Sequence, residues 1–287
     1  MKSRHTLAFG VALLLMPACD NGSTDEPSAP RQAQVQQASP ADDSNSMTPF
    51  ALGADWRLSV DDAVARLRAQ EPQLAEALYA MGPRTTRAGT ARFTGPLVRR
   101  PIAAAVFLDR LTAGGDVSSE VRAALVEALP RTTGPFGPAV IALLAQESDA
   151  RVRVAMVASL RTADAPSALA GLELGLHDSD AAVRMAAART ATRRTDGAEL
   201  EAPLLAAAAD SDADVKAEAI RSLGVLKIEA AKDLIEAELK ADDAALRLSA
   251  VRALVRIDPA FAKSRVRSLV ADEDPRVAKS ARQALEP

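Results

Sequence analysis

An all-α solenoid of stacked helix-turn-helix repeats is the fold this sequence predicts, and three observations carry it. The stretch SDARVRVAMVASL at residues 148–160 returns as SDAAVRMAAARTA at 179–191, SDADVKAEAIRSL at 211–223 and DDAALRLSAVRAL at 242–254. Aligned on the apolar residue of each Val-Arg pair, the anchors Val121, Val152, Val183, Val215, Leu246 and Val277 lie 31, 31, 32, 31 and 31 residues apart. A fixed period of this size marks supersecondary units stacked in a row. Within each unit, small and apolar residues recur at offsets of four, seven and eight from the anchor, which is one face of a helix.

The first helix of each unit follows from that face. Four residues past the anchors stand Leu125, Met156, Ala187, Ala219, Ala250 and Ala281, and eight past stand Leu129, Leu160, Ala191, Leu223, Leu254 and Leu285. The small residues among them let a neighbouring helix approach closely. Three residues before the anchors come Ser118, Asp149, Asp180, Asp212, Asp243 and Asp274. All are good N-cap residues, because their side-chain oxygens accept from free backbone N–H groups. Pro275 then sits at a first helical position, where its missing N–H costs nothing.

The second helix of each unit comes after a short turn, in PAVIALLAQ, SALAGLELGL, APLLAAAA, AAKDLIEAEL and AFAKSRVRSLV. A pair this small cannot bury both faces alone, so consecutive pairs must stack. Arg282 stands where the earlier units place Val126, Val157, Ala188, Ile220 and Val251, and so marks an end to the stack.

The segments DARVRVAMVASL, DAAVRMAAARTA, DADVKAEAIRSL and DAALRLSAVRAL resemble the HEAT-repeat family, particularly its short form first associated with phycobilisome lyases. The resemblance covers residues 117–287 and implies a scaffold or adaptor, with few lyase-related members.

Residues 55–116 read as an N-terminal helical cap with a degenerate first repeat. LSVDDAVARL offers a capping box of Ser59 and Asp62, with Leu58 as a staple. Pro72 divides residues 60–81 into two helices, and PIAAAVFLDRL resembles a second helix. Aromatic residues are 3% of the chain, and Phe50, Trp56, Tyr79, Phe93 and Phe107 gather in this region. They either seal the open end of the stack or form a partner-binding patch, for which Trp56 and Tyr79 are the candidates.

The chain opens with Lys2 and Arg4, an apolar run from Leu7 to Met16, and Cys19, its single cysteine. That run is too short to cross a bilayer, which needs about 20 apolar residues, and it has the form of a secretory signal. It resembles a bacterial lipoprotein signal, residues 1–18, which implies that Cys19 carries the lipid. Met16 and Pro17 depart from the usual Leu and small residue before such a cysteine, and ordinary secretion or a short uncleaved anchor are the alternatives. Asp20 resembles the residue that retains some lipoproteins at the inner membrane. Residues 19–54 then form the lipidated cysteine and a linker rich in Asp, Ser, Pro, Gln and Ala, unable to bury enough apolar surface to fold. The expected location is the bacterial cell envelope, lipid-anchored at the inner or outer membrane and facing the periplasm.

Composition excludes several functions. Loss of residues 1–18 removes Lys2 and Arg4, taking the formal charge from −3 to −5. General nucleic-acid binding rests on a basic excess and is not expected. Only His5 and His177 occur, so imidazole catalysis has little material and no nucleophile has a placed base. His177 with Asp178 and Asp180 reads as a solvated turn rather than a metal site. No catalytic set, metal site or cofactor is expected.

The turns between units are acidic, and the turns inside them carry Arg131, Arg161, Arg193, Arg194, Lys227 and Arg256. Acids at helix N-termini and bases at C-termini complement the helix dipole at about 0.3–1 kcal/mol each. Stacking would also align the bases into an edge able to dock a partner. The expected function is therefore a membrane-tethered, non-enzymatic scaffold that binds another envelope protein. A lyase-related or regulatory subunit binding a small ligand is the alternative.

Overall fold

The computed structural model divides into residues 1–47 and 48–287. It describes Leu52 and residues 55–87, 89–113 and 118–286, all in the second unit. Cys19, the signal and almost all of the linker lie outside the described residues.

The first helices of the repeats are α4 (Ser119–Ala128), α6 (Ala150–Ser159), α8 (Ala181–Ala191), α10 (Ala213–Leu226), α12 (Ala244–Ile257) and α14 (Pro275–Leu285). Between them come α5 (Gly137–Leu144), α7 (Ala165–Leu176), α9 (Glu201–Ala207), α11 (Lys232–Ala237) and α13 (Pro259–Arg265). Several second helices are extended by 3-10 turns, such as Val266–Ala271 after α13. Each first helix packs on the next, α4 on α6 through to α12 on α14. The molecule is thus an all-α solenoid.

The residues that specify this stack are those read from the period. Val152, Val183, Val215 and Val277 are fully buried, and so are Leu125, Ala187, Ala219, Ala250 and Ala281 on the same stripe. All six N-cap side chains accept from a backbone N–H one turn inside the helix, among them Ser118 from Val121 and Asp212 from Asp214 and Val215. Ser222, seven past its anchor, donates to Ala188 O of the preceding unit at 2.9 Å. Arg282 is exposed and donates to Val270 O at 2.9 Å, so the last helix presents charge where the others pack.

The arginine of the Val-Arg pair supplies a second device. Arg122 reaches Glu147 at 2.9 and 3.0 Å, Arg153 reaches Asp178 at 2.8 and 2.9 Å, Arg184 reaches Asp210 at 2.7 and 3.0 Å, and Arg247 reaches Asp272 at 2.9 Å twice. Each is a two-pronged guanidinium-carboxylate pair, the geometry that makes arginine strong in this role. The same carboxylates accept from the N–H of the next N-cap residue, as Asp178 does from Asp180 at 2.8 Å. Three of the arginines also bond carbonyls of the turn before their own helix, as Arg184 does at Asp178 and Ser179. Each of these three clamps therefore ties three consecutive segments. Four of the acidic turns, at Glu147, Asp178, Asp210 and Asp272, are thus joints between units rather than parts of a free acidic edge.

One rung is missing. Lys216 occupies the arginine position of the fourth unit and pairs with Glu238 at 3.5 Å, while Asp242 is exposed and its carboxylate meets no arginine among the described residues. An ammonium lacks the fork needed for a two-pronged pair. Lys216→Arg is expected to reach Asp242 and raise stability by about 0.5–1 kcal/mol, measured as a higher urea midpoint at unchanged slope.

The N-terminal extension departs from the sequence reading in three ways. Helix α1 spans Trp56–Gln70, with Asp55 as its N-cap and no side-chain cap. Ser59 is therefore inside the helix, its hydroxyl directed to Asp55 O at 3.4 Å, so no Ser59–Asp62 capping box forms. Leu58 is 65% exposed and staples nothing. The chain does break before Pro72, where α2 (Pro72–Ala80) begins. A small antiparallel hairpin follows, β1 (Arg84–Thr85) with β2 (Ala91–Arg92), turned at Gly89, whose φ is +78°. Helix α3 (Pro101–Thr112) buries seven consecutive residues from Ile102 to Leu108 and packs against α1 and α4.

Candidate functional site

The predicted basic edge separates into two groups. Arg194 is almost enclosed: it forks onto Asp196 at 2.7 Å and donates to Leu160 O and Ala163 O of the preceding unit at 2.8 and 3.0 Å. Its role is to plug the turn of the third unit. Arg131 is half-buried and donates to Phe93 O at 2.7 Å, welding the segment after the hairpin to the first unit. Arg161, Arg193, Lys227 and Arg256 are exposed. The edge open to a partner is thus four residues rather than six.

The aromatic patch does not form. Trp56 is buried, and Phe93 and Phe107 are fully buried with ring centroids 5.3 Å apart. Tyr79 is half-buried, bonded through its hydroxyl to Asp109 and covered by the Arg68 guanidinium 4.9 Å from its ring. Burial and the Asp109 carboxylate both push the Tyr79 phenol up. Their common work is to close the end of the stack.

A cleft of about 470 Å³ opens between the segment running out of the hairpin and the ends of α4 and α6. Arg92, Arg131 and Arg161 stand around it, with Thr94 and Glu127, and Ala155, Ala158 and Ser159 are among its remaining lining residues. Two of these arginines belong to the predicted edge. Arg92 comes from the hairpin, whose two-residue strands give no sequence signal of their own. The Ser159 hydroxyl is already committed to Met156 O at 2.7 Å, so it has no spare proton. Three guanidiniums against one carboxylate leave the cleft with a net positive lining.

Beyond the cleft, the first helices carry a further row of arginines. Arg189, Arg221 and Arg252 stand six residues past their anchors in three successive units. Glu218 lies between the first two and accepts from Arg189 at 3.2 Å and from Arg221 at 3.0 Å. Burial works against the charge on Glu218, but these two guanidiniums hold its carboxyl below the usual range. Arg252 is exposed and makes no hydrogen bond or ion pair with the described residues. The offset of six was available in the sequence, where the same position holds Glu127 and Ala158 in the earlier units and so hides the row.

His177 is exposed, with its Nδ1 2.9 Å from Glu173 O, and Asp178 is taken by Arg153. Among the described residues no group of three His, Cys, Asp or Glu side chains could hold a metal, and no helix is long and apolar enough to cross a membrane.

With this geometry in hand, the comparisons with known proteins can be stated. Residues 201–286 match the family model of HEAT repeats. No curated protein matches the chain. Among solved structures the chain is similar to one titled "Crystal structure of Cex1p", at 14% identity and a TM-score of 0.49, over 80% of this chain and 53% of that one. The chain thus spans about half the length of that structure.

Proposed function

We propose that the protein is a non-enzymatic scaffold, tethered to a bacterial envelope membrane through lipid on Cys19, whose rigid helical stack holds a partner protein. The observation that carries the reading is a set of exposed guanidiniums on a stack in which Arg122, Arg153, Arg184 and Arg247 are locked into clamps. Arg161, Arg193 and Arg256 join no such clamp, so they are available to carboxylates from outside. The HEAT-repeat match in the last units supports a role in protein interaction, and the apolar run before Cys19 supports the tether. Capture of an envelope protein from solubilised membranes by the parent chain tests the scaffold. Failure to enrich any protein over a control column would count against it.

The tether has its own test. Cys19→Ala is expected to abolish incorporation of a labelled fatty acid and to leave an unprocessed precursor, because a multiply acylated cysteine is what would hold the chain to a membrane. Unchanged labelling and processing would remove the lipoprotein reading and leave the scaffold standing.

The cleft favours a second reading, in which the protein is a regulatory or lyase-related subunit that binds a small anionic ligand. An anion co-purifying with the parent chain and lost in Arg92→Gln with Arg161→Gln would support it.

A further inference from the structure

We infer that the outer face of the first helices binds an extended acidic segment of a partner protein that presents one carboxylate at every third residue. This rests on the scaffold reading above and names the chemistry of the partner. The row Arg189, Arg221 and Arg252 repeats once per unit at one register. Packed helices lie about 8–10 Å apart, so successive guanidiniums start from points separated by roughly that distance. A polyproline II chain advances 3.1 Å per residue with three residues per turn, so its residues i, i+3 and i+6 share one face about 9 Å apart. The two periods agree. A β-strand, whose side chains alternate, would place every second carboxylate on the wrong side.

The row is prepared for such a ligand. Arg189 gives only its Nε to Glu218, Arg221 gives its Nε and one terminal nitrogen, and Arg252 gives none. Glu218 holds the first two guanidiniums side by side while leaving donors on both. Beside the row the positions three past the same anchors are Ala186, Glu218 and Ser249, so small residues stand on either side of the glutamate that pairs the first two arginines. Arg193, Lys227 and Arg256 stand exposed at or just past the C-terminal ends of the same three helices and add to their positive charge.

The probes are two synthetic peptides of equal composition and charge, one a Pro-Pro-Glu repeat and the other with all its glutamates contiguous. Each is titrated into the detergent-solubilised full chain by fluorescence anisotropy at low and high salt. The spaced peptide is expected to bind about tenfold more tightly than its isomer. Replacing Arg189, Arg221 and Arg252 together by Gln should remove that preference and flatten the salt dependence, with the helical signal unchanged because all three reach solvent. Glu218→Gln should tighten the spaced peptide, since it removes an internal competitor for two of the arginines.

Equal affinity for the two peptides, or an unaffected triple variant, would overturn the inference. So would binding of phosphatidylglycerol vesicles that the triple variant loses while neither peptide binds, since the row would then face lipid. If the triple variant captures the same envelope protein as the parent, the inference fails and the scaffold stands. If the spaced peptide is preferred but the parent captures no protein, the scaffold reading fails instead.

Discussion

Replacing Gly197 with Ala is expected to destabilise the protein by about 3 kcal/mol, the upper range for forcing an extra methyl into packed structure. A Cβ at this position would lie 2.0 Å from the carbonyl oxygen of Ala191 and 2.9 Å from its carbon, both backbone atoms at the end of α8. Neither can rotate away, so the whole turn of the third unit must move. That turn carries Arg194, which is held by Asp196 and donates to Leu160 O and Ala163 O of the unit before it. Moving it breaks an inter-unit contact as well. Gly171→Ala is the control: its Cβ would meet the end of the Leu160 side chain at 2.5 Å, a flexible group, and Ala gains about 1 kcal/mol over Gly inside a helix. Urea unfolding should show the first variant far below the parent and the second within about 1 kcal/mol of it. Equal behaviour of the two would mean that the Gly197 contact does not exist.

Asp178→Ala is expected to cost about 2–3 kcal/mol, less than the loss of a fully enclosed ion pair because its rim is wet. The change strands the Arg153 fork and leaves the Asp180 N–H without its acceptor. Burial pushes Glu147 and Asp178 up, yet the Arg122 and Arg153 guanidiniums outweigh it and hold both carboxyls below the usual range. At Asp210 and Asp272 the guanidiniums of Arg184 and Arg247 dominate, with the same outcome. A carboxyl depressed in the folded state binds fewer protons there than in the unfolded chain. The stability it contributes is whole above the unfolded values near pH 4 and is lost as pH falls through the lower folded values. Melting temperature should therefore be flat from neutrality to about pH 5 and drop below pH 4, and Asp178→Ala should soften the drop. An unchanged acid profile in the variant would show that the clamp titrates no differently from free carboxylate.

The parts legible in the sequence are those repeated within one helix. Caps, anchors and stripe residues act over three to eight positions, so a single aligned column exposes each one. Arg153 and Asp178 act across 25 residues and two units, so a single aligned column shows each only as a local feature. The acid reads as a cap and dipole partner, and the arginine has no local role to read. The recurrence of an arginine next to the anchor with an acid 25 or 26 residues on was the signal that could have joined them. Arg131 and Arg194 were placed on an open edge because nothing local distinguishes them from Arg161 and Arg193. Their burial depends on Phe93 O and on Leu160 O and Ala163 O, which lie 31 to 38 residues away. The sequence leaves open whether Trp56 seals the stack or faces a partner, because a single aromatic in an irregular segment shows no period from which to read its face. The hairpin was missed since strands of two residues carry no alternation.

Removal of one whole unit, residues 180–211, tests most directly the claim that the molecule is a stack held by contacts between neighbours. The cut joins Ser179 to Asp212, so Asp178 still faces Arg153 and meets an N-cap aspartate of the same kind in the next helix. The account predicts a soluble protein with unchanged helicity per residue, a single cooperative urea transition and a slope reduced in proportion to the surface removed. Aggregation, or loss of most of the helical signal, would contradict it.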